Sequence, residues 1–166
     1  MANQSEPVLF WREYETNGYL SQWFLAPMMH NGIVYNCCEQ WMMASKAKQF
    51  NDEQSLQQIM AELDPAKQKK LGRQVKNFDA AKWNSVSREV VFQGNLFKFQ
   101  QHDQLRNLLL KTENSLLVEA SPFDKIWGIG LGPDDPRAKS PEQWQGTNWL
   151  GEELMRVRDS GTLYEI

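Results

Sequence analysis

The stretch Cys37-Cys-Glu-Gln-Trp-Met-Met-Ala-Ser-Lys-Ala-Lys-Gln-Phe50 predicts an amphipathic helix, and its pattern guides the interpretation of the whole chain. At 100° per residue, Glu39 and Lys46 fall on one stripe, and Lys48 falls on the opposite side. The other members of that stripe are apolar: Met42, Met43 and Phe50. Because an apolar stripe normally faces the interior, we expect Glu39 and Lys46 to lie two turns apart on the inward face.

Two charged side chains on an inward face lose hydration, which is costly unless they are paired or take part in chemistry. A buried ion pair would explain the pattern, and so would side chains that extend to the rim of the packed surface. A catalytic site would explain it equally well, because structural ion pairs and sites look alike at this level. The periodicity alone leaves these alternatives open.

The segments around this helix predict a mostly helical α+β fold with a few short strands. Strands are expected at residues 8–11, 32–35 and 115–120. Helices are expected after the caps Asn36 and Asp52, from Pro65, over residues 78–100, from His102 and over residues 148–158. Gly94 is expected to interrupt the fourth of these helices. Since the 166 residues contain no repeat or linker, they are expected to form one domain.

The composition excludes several kinds of protein. The formal net charge is −3 and the sequence pI is about 5.5, so the chain lacks the basic excess that general binding to duplex DNA requires. The N-terminus shows no signal-peptide pattern and no apolar run approaches membrane-spanning length, which predicts a cytoplasmic protein without membrane contact. The adjacent Cys37 and Cys38 do not make a zinc site, and His30 and His102 show no metal-ligand spacing. We therefore expect no metal and no cofactor.

A second candidate site lies in the loop Pro122-Phe-Asp-Lys-Ile-Trp-Gly-Ile-Gly130, within a stretch rich in Pro and Gly over residues 121–147. Asp124 and Trp127 are spaced by one helical turn, so a carboxylate and an indole are able to project together. Long loops of this kind in compact domains are usually functional or disordered, and we expect this one to be ordered with one helical turn at most. An aromatic turn that packs on the core explains the same residues.

Several motifs occur in an order that is typical of one family. They are Leu20-Ser-Gln-Trp-Phe24, Cys38-Glu-Gln-Trp-Met-Met-Ala-Ser-Lys-Ala47, Leu71-Gly-Arg73, Trp83, Lys98-Phe99, Leu108-Leu-Leu110, Val118-Glu-Ala-Ser-Pro-Phe-Asp-Lys-Ile-Trp-Gly128 and Gly146-Thr-Asn-Trp-Leu-Gly151. With this ordered set the chain resembles the NADAR family from about Leu9 to Arg158. It departs from the family pattern at Gln22, where Asn is usual, and at Gln40, where His is common. The resemblance predicts a single NADAR-like domain over residues 1–166, with its core at about 9–158.

The resemblance implies an N-glycosidase, a hydrolase that cleaves the bond between ribosyl C1′ and a nitrogen. It implies as substrates the ribosylaminopyrimidine phosphate intermediates of riboflavin biosynthesis, or ADP-ribosylated bases of nucleic acid. Cleavage passes through an oxocarbenium-like state that needs a nearby carboxylate, and Glu39 and Asp124 are the candidates. Lys46 would protonate the leaving nitrogen, hold a phosphate, or attack C1′ to give a Schiff base. These three residues are expected to line one pocket with Trp127.

The remaining candidates would bind the substrate. Trp127 and Trp23 are candidates for stacking on the base or the ribose. Arg12 and Arg73 are candidates for phosphate contacts. Asn148 is a candidate for the ribose hydroxyls, although a helix-capping role explains this residue more simply.

Two other classes of protein remain open. A non-catalytic module that binds ADP-ribose or another nucleotide would use the same aromatic and arginine side chains, but it would not need Glu39 and Lys46 on an inward face. A helical interaction protein would bind no nucleotide at all.

Overall fold

The computed structural model of this chain describes residues 5–165. They form two compact units. The terminal unit comprises the described residues of Met1–Phe24 and His102–Ile166, and the central unit is Leu25–Gln101. Several helices and two small two-stranded sheets confirm the predicted, mostly helical α+β fold. The single-domain organisation over residues 1–166 stays a prediction.

The central unit is built around helix α1. Its elements are the antiparallel strands β2 (Met28–His30) and β3 (Ile33–Tyr35), followed by α1 (Cys38–Gln49), α2 (Glu53–Ala61), α3 (Pro65–Gly72) and α4 (Ala80–Gln101). Helix α1 packs against α2, α3 and α4. Most of α1 is therefore buried, and Lys48 and Gln49 at its end are exposed. Strand β2 has no counterpart among the strands predicted from the sequence.

The predicted caps of α2 and α3 are confirmed. Asp52 accepts a hydrogen bond from the backbone N–H of Ser55 at the start of α2. Asp64 accepts one from the backbone N–H of Ala66, and Pro65 occupies the first turn of α3. Both caps satisfy N–H groups that have no partner inside the helix.

The prediction that Asn36 caps α1 is wrong, because the N-cap residue is Cys37. The side chain of Asn36 is engaged elsewhere. Its amide nitrogen donates to the carbonyl of Leu63, and its amide oxygen accepts from the side chain of Gln68. Asn36 therefore joins the start of α1 to α3 and to the segment before it, and it is not available as a cap.

The prediction that Gly94 interrupts α4 is also wrong, since the helix runs from Ala80 to Gln101 without a break. Gly94 lies against Trp41 of α1, where a Cβ atom would come within 2.5 Å of indole Cδ1. The indole Nε1 of Trp41 donates to the carbonyl of Val90 at 2.8 Å. The glycine thus allows two helices to approach closely.

The terminal unit combines a short parallel sheet with two helices. Its elements are β1 (Val8–Phe10), α5 (Asp103–Leu110), β4 (Leu117–Glu119) and α6 (Trp149–Asp159). Strands β1 and β4 pair in parallel, with Leu9 opposite Val118. A buried cluster fills this unit: Val118, Ala120, Ile129, Leu131 and Ala138. The connection from β4 to α6 is ordered and contains two 3-10 helices, Pro136–Lys139 and Pro141–Gln143, where one turn at most was expected.

No helix within residues 5–165 combines the length and the apolar character needed to cross a membrane. The same residues hold no group of three or more His, Cys, Asp or Glu side chains arranged to bind a metal ion. The cytoplasmic location stays a prediction.

Candidate active site

Helix α1 presents Glu39 and Lys46 on its packed face, as the sequence predicts. Glu39 is 5% exposed and Lys46 is half-buried, whereas Lys48 is exposed. The Lys48 amine lies 3.2 Å from the hydroxyl of Tyr35. The helical projection is therefore confirmed for these three side chains.

The Lys46 amine lies against an aromatic ring and forms no ion pair with a carboxylate among the side chains of residues 5–164. Its Nζ atom is 4.5 Å from the ring centroid of Phe78. The pKa of Lys46 is lowered, and burial is the largest cause. The charge of Glu39 opposes this shift, and the charge of Arg73 adds to it. A larger fraction of the amine is therefore neutral at a given pH than in a solvated lysine. No direct ion pair joins Glu39 to Lys46, so the buried ion pair, one of the structural explanations, does not apply to Lys46.

Arg73 is the candidate phosphate contact in the central unit. It is the C-cap residue of α3, and its side chain is exposed. Because its charge lowers the pKa of Lys46, the two cations repel each other. A phosphate bound near them would relieve this repulsion and would accept charge-assisted hydrogen bonds from the guanidinium.

Two residues of the central unit were not selected from the sequence. Lys98 on α4 is 0% exposed, and burial lowers its pKa against the opposing effect of the Cys38 thiol. The available signal was its place in the Lys98-Phe99 motif. The sequence placed Phe78 at the start of the helix predicted over residues 78–100, but α4 begins at Ala80 and Phe78 lies in the connection before it. Helical spacing does not reveal that its ring reaches Lys46.

The loop after β4 places Asp124 and Trp127 in one turn, as predicted. Asp124 Oδ1 accepts hydrogen bonds from the backbone N–H groups of Ile126 and Trp127, both at 2.9 Å. Trp127 is half-buried, and its ring meets the ring of Trp149 edge-on with centroids 5.6 Å apart. A Cβ atom on Gly128 would lie 2.9 Å from the carbonyl oxygen of Asp124, so the turn requires glycine there. One oxygen of Asp124 thus shapes the turn itself.

Asn148 has a different local role from the expected one. It occupies the N-cap position of α6, but its backbone is left-handed (φ 53°) and its side chain makes no capping bond. That backbone conformation directs the amide toward β4, where it donates to the carbonyl of Leu117 at 3.0 Å and accepts from the N–H of Glu119 at 2.9 Å. The capping prediction is wrong, and the side chain ties α6 to β4. A contact with ribose hydroxyls stays a prediction.

Arg12 and Trp23, both in the terminal unit, remain candidate binding residues. The guanidinium of Arg12 donates to the hydroxyl of Tyr14 at 2.7 Å, which raises its pKa, and lies 4.3 Å from the ring centroid of Trp11. It forms no ion pair with the described side chains of residues 5–164, so an oriented cation is available to an anion. Trp11 and Tyr14 also line a cavity of about 620 Å³. Trp23 is half-buried, and its backbone N–H donates to the hydroxyl of Ser21.

The predicted residues therefore fall into two local groups. In the central unit, Glu39 and Arg73 both act on the charge of Lys46. In the terminal unit, Asp124 and Trp127 share a turn. The pocket that was expected to unite the two groups stays a prediction.

Comparisons with known proteins agree with this architecture. The family model described as the NADAR domain matches residues 9–160. The chain is 41% identical to N-glycosidase R617 of Acanthamoeba polyphaga mimivirus over 144 residues, which are 84% of this chain and 85% of that protein. It is also 41% identical to protein irg-1 of Caenorhabditis elegans over 129 residues, 76% of this chain but 61% of irg-1. The NMR structure of the Escherichia coli protein YbiA matches with a TM-score of 0.79 at 27% identity, covering 99% of this chain and 89% of that one.

These relatives define the class of the protein. R617 and YbiA both carry the name N-glycosidase. The prediction of a hydrolase that acts on N-glycosyl bonds is therefore confirmed at the level of enzyme class. Within that class, this chain belongs to the NADAR family.

Proposed function

We propose that this chain cleaves the bond between ribosyl C1′ and a nitrogen in a phosphorylated N-riboside or an ADP-ribosylated base, with Glu39 and Lys46 at the reacting bond. The observation that carries the proposal is the state of the Lys46 amine. It is half-buried, its pKa is depressed mainly by burial, and it has no carboxylate partner among the described residues. A buried structural lysine is usually paired with a carboxylate, and the Lys46 amine has no such ion pair.

In the direct route, water replaces the base at C1′. The C1′–N bond breaks with its electron pair on the leaving nitrogen, and positive charge develops on C1′ and the ring oxygen. The Glu39 carboxylate stabilises this charge and takes a proton from the water whose oxygen bonds to C1′. The Lys46 ammonium supplies a proton to the leaving nitrogen. The products are the free base and a sugar with a hydroxyl on C1′.

In the covalent route, the neutral Lys46 amine attacks C1′ as the base leaves with the electron pair. One amine proton goes to the leaving nitrogen and the other to the ring oxygen, whose bond to C1′ breaks to give an imine. Water then adds to the imine and releases the sugar and the amine. The depressed pKa favours this route, because it increases the neutral fraction of the amine. Borohydride distinguishes the routes, since it reduces an imine to a stable adduct on Lys46.

The other candidates hold the substrate in this proposal. Arg73 and Arg12 bind phosphate groups, because both guanidinium groups are exposed. Trp127 and Trp23 present half-buried rings for the base or the ribose. Asp124 supplies the second carboxylate through the oxygen that its own turn does not use.

The test is release of free base from two kinds of substrate. The protein is incubated with a ribosylaminopyrimidine 5′-phosphate and, separately, with an oligonucleotide that carries an ADP-ribosylated base, and the free base is measured by chromatography. We expect release from at least one substrate by the native protein and by Lys48→Ala, and release slower by about 10²-fold or more in Glu39→Gln. Tight binding of ADP-ribose without release from either would instead indicate a binding module. No binding of any nucleotide in a thermal-shift screen would indicate an interaction protein.

A further inference from the structure

Phe78 makes a contact with Lys46 that the proposed chemistry does not use. It lies in the connection between α3 and α4, residues 73–79, and is 47% exposed. Its ring nevertheless lies under the Lys46 ammonium, with Nζ 4.5 Å from the ring centroid. Such a distance is typical of a cation–π interaction, in which the negative face of the ring attracts the ammonium. Phe78 is half-exposed, so core packing alone does not explain why one face of its ring contacts the Lys46 ammonium.

The connection that carries Phe78 is held in place at two points. The ring of Phe50, at the end of α1, packs on Phe78 with centroids 5.5 Å apart and an interplanar angle of 65°. The backbone N–H of Lys76 donates to Asp52 Oδ2 at 2.9 Å. Asn77 then adopts a left-handed conformation (φ 62°) that turns the chain directly before Phe78. The Phe78 ring is therefore fixed relative to the end of α1. The ring face that contacts the Lys46 amine is fixed with it.

Three influences besides the ring act on the Lys46 amine. Burial by the surrounding helices is the largest and lowers its pKa, the Glu39 carboxylate on the same helix raises it, and Arg73 at the end of α3 lowers it. No carboxylate among the described side chains, residues 5–164, forms an ion pair with the amine. Because a ring face attracts an ammonium but not a neutral amine, Phe78 acts in the same direction as Glu39.

We propose that Phe78 is a positioning residue for Lys46: its ring face holds the ammonium in one place on the packed side of α1 without neutralising it. A carboxylate in the same position would bind the ammonium strongly and keep it protonated. A ring binds it more weakly, so the amine stays oriented and is still able to lose its proton. The inference rests on the proposed function for one point, that the oriented amine acts on the substrate. The contact between Phe78 and Lys46 does not depend on substrate.

The test measures the Lys46 amine directly and requires no turnover. The protein is labelled with lysine carrying ¹³C at the ε carbon, and the Lys46 signal is assigned by its loss in Lys46→Arg. Its pKa is then read from the pH titration of that signal in the native protein, Phe78→Leu and Phe78→Tyr. Leucine keeps apolar bulk over the amine but removes the ring, whereas tyrosine keeps the ring face. The Lys48 signal in the same spectra is the internal control.

We expect Phe78→Leu to lower the pKa of Lys46 by about 0.5–1 pH unit, and Phe78→Tyr to leave it within about 0.2 unit. The Lys48 signal should titrate alike in all three proteins. Equal Lys46 titrations in the native protein and Phe78→Leu would overturn the proposal. If Phe78→Leu does not fold, 3,4,5-trifluorophenylalanine at position 78 replaces it, because this residue keeps the ring shape and weakens its negative face. A fluorinated ring that leaves the titration unchanged would overturn the proposal equally.

Turnover gives a second readout where base release is observed. Phe78→Leu should lower kcat about 3–10-fold with a smaller change in KM, and Phe78→Tyr should restore it, as expected for an interaction worth roughly one pKa unit or less. A loss that tyrosine does not restore would indicate packing and contradict the positioning role. The two proposals fail separately. Absence of base release in every protein refutes the proposed function, while the NMR titrations still decide on Phe78.

Discussion

The packed face of α1 and the loop after β4 both place a charged side chain beside an aromatic ring, but they use the charge differently. In the loop, Asp124 Oδ1 accepts two backbone hydrogen bonds that fold its own turn. On α1, the Lys46 amine makes no hydrogen bond or ion pair among the described side chains, and burial is the main cause of its lowered pKa. A carboxylate that is hydrogen-bonded to its own turn and an ammonium that lies on a ring without an ion pair look alike in a sequence. Only the second kind points directly to chemistry.

The largest expected effect follows from removing the charge of Glu39, which shares the α1 face with Lys46. Glu39→Gln keeps the shape of the side chain, so we expect turnover to fall about 10²–10⁴-fold, the usual range for loss of a general acid or base. The melting temperature should change little. Glu53→Gln, at an exposed position in the first turn of α2, is the matched control and should retain full turnover. A variant that stays active but loses about 3–5 kcal/mol of stability would assign Glu39 to structure instead.

The loop is tested by two substitutions of Asp124. They separate its hydrogen bonds to the turn from its negative charge. Asp124→Asn keeps an acceptor for the N–H groups of Ile126 and Trp127 but removes the charge, and we expect turnover to fall roughly 10²-fold with the fold intact. Asp124→Ala removes the acceptor as well, and it should cost about 1 kcal/mol of stability in addition. Chemical denaturation and base release are measured on both proteins. An Asp124→Asn protein with native turnover would show that this carboxylate serves only its turn.

Asp52 is a carboxylate whose two oxygens both accept hydrogen bonds that hold the fold together. Asp52 accepts hydrogen bonds from the backbone N–H and the hydroxyl of Ser55 and from the backbone N–H of Lys76. These bonds lower the pKa of Asp52 from 3.8 to about 2, and the bond from Lys76 has the largest effect. A depressed folded-state pKa means that the stabilisation is complete above about pH 4 and disappears as the pH falls toward 2. Asp52→Asn should lower the melting temperature by roughly 2–4 °C at pH 5.

The pH dependence separates this role from a simple packing defect. The gap between the melting temperatures of native protein and Asp52→Asn should close as the pH falls from about 4 toward 2, because the native carboxyl then becomes protonated too. A gap that stays constant from pH 5 to pH 2.5 would contradict the account of Asp52.

The sequence predicted those features that depend on local periodicity and capping. The α1 face followed from 3.6-residue spacing, and Asp52 and Pro65 marked helix starts because their chemistry is local. The fold class and the enzyme class were also predicted, the latter from the ordered motifs of the NADAR family.

The features that the sequence did not reveal depend on partners far away in the chain. Gly94 looked like a helix breaker because Trp41, which needs the space, lies 53 positions earlier. Asn148 looked like a cap because its left-handed backbone, which directs the amide to β4, has no signature in the sequence. Phe78 was missed because its contact with Lys46 depends on the path of a connection between helices.

The most direct test of the central claim compares Lys46→Ala with Lys48→Ala on the same helix. Both remove one positive charge two residues apart, but Lys46 is half-buried beside Glu39 and Arg73, while Lys48 is exposed beside Tyr35. We predict that release of free base falls at least about 10²-fold in Lys46→Ala. In Lys48→Ala it should stay within about twofold, with stability within about 0.5 kcal/mol of the native value. Native turnover in a folded Lys46→Ala protein would contradict the assignment of the active site to this face of α1.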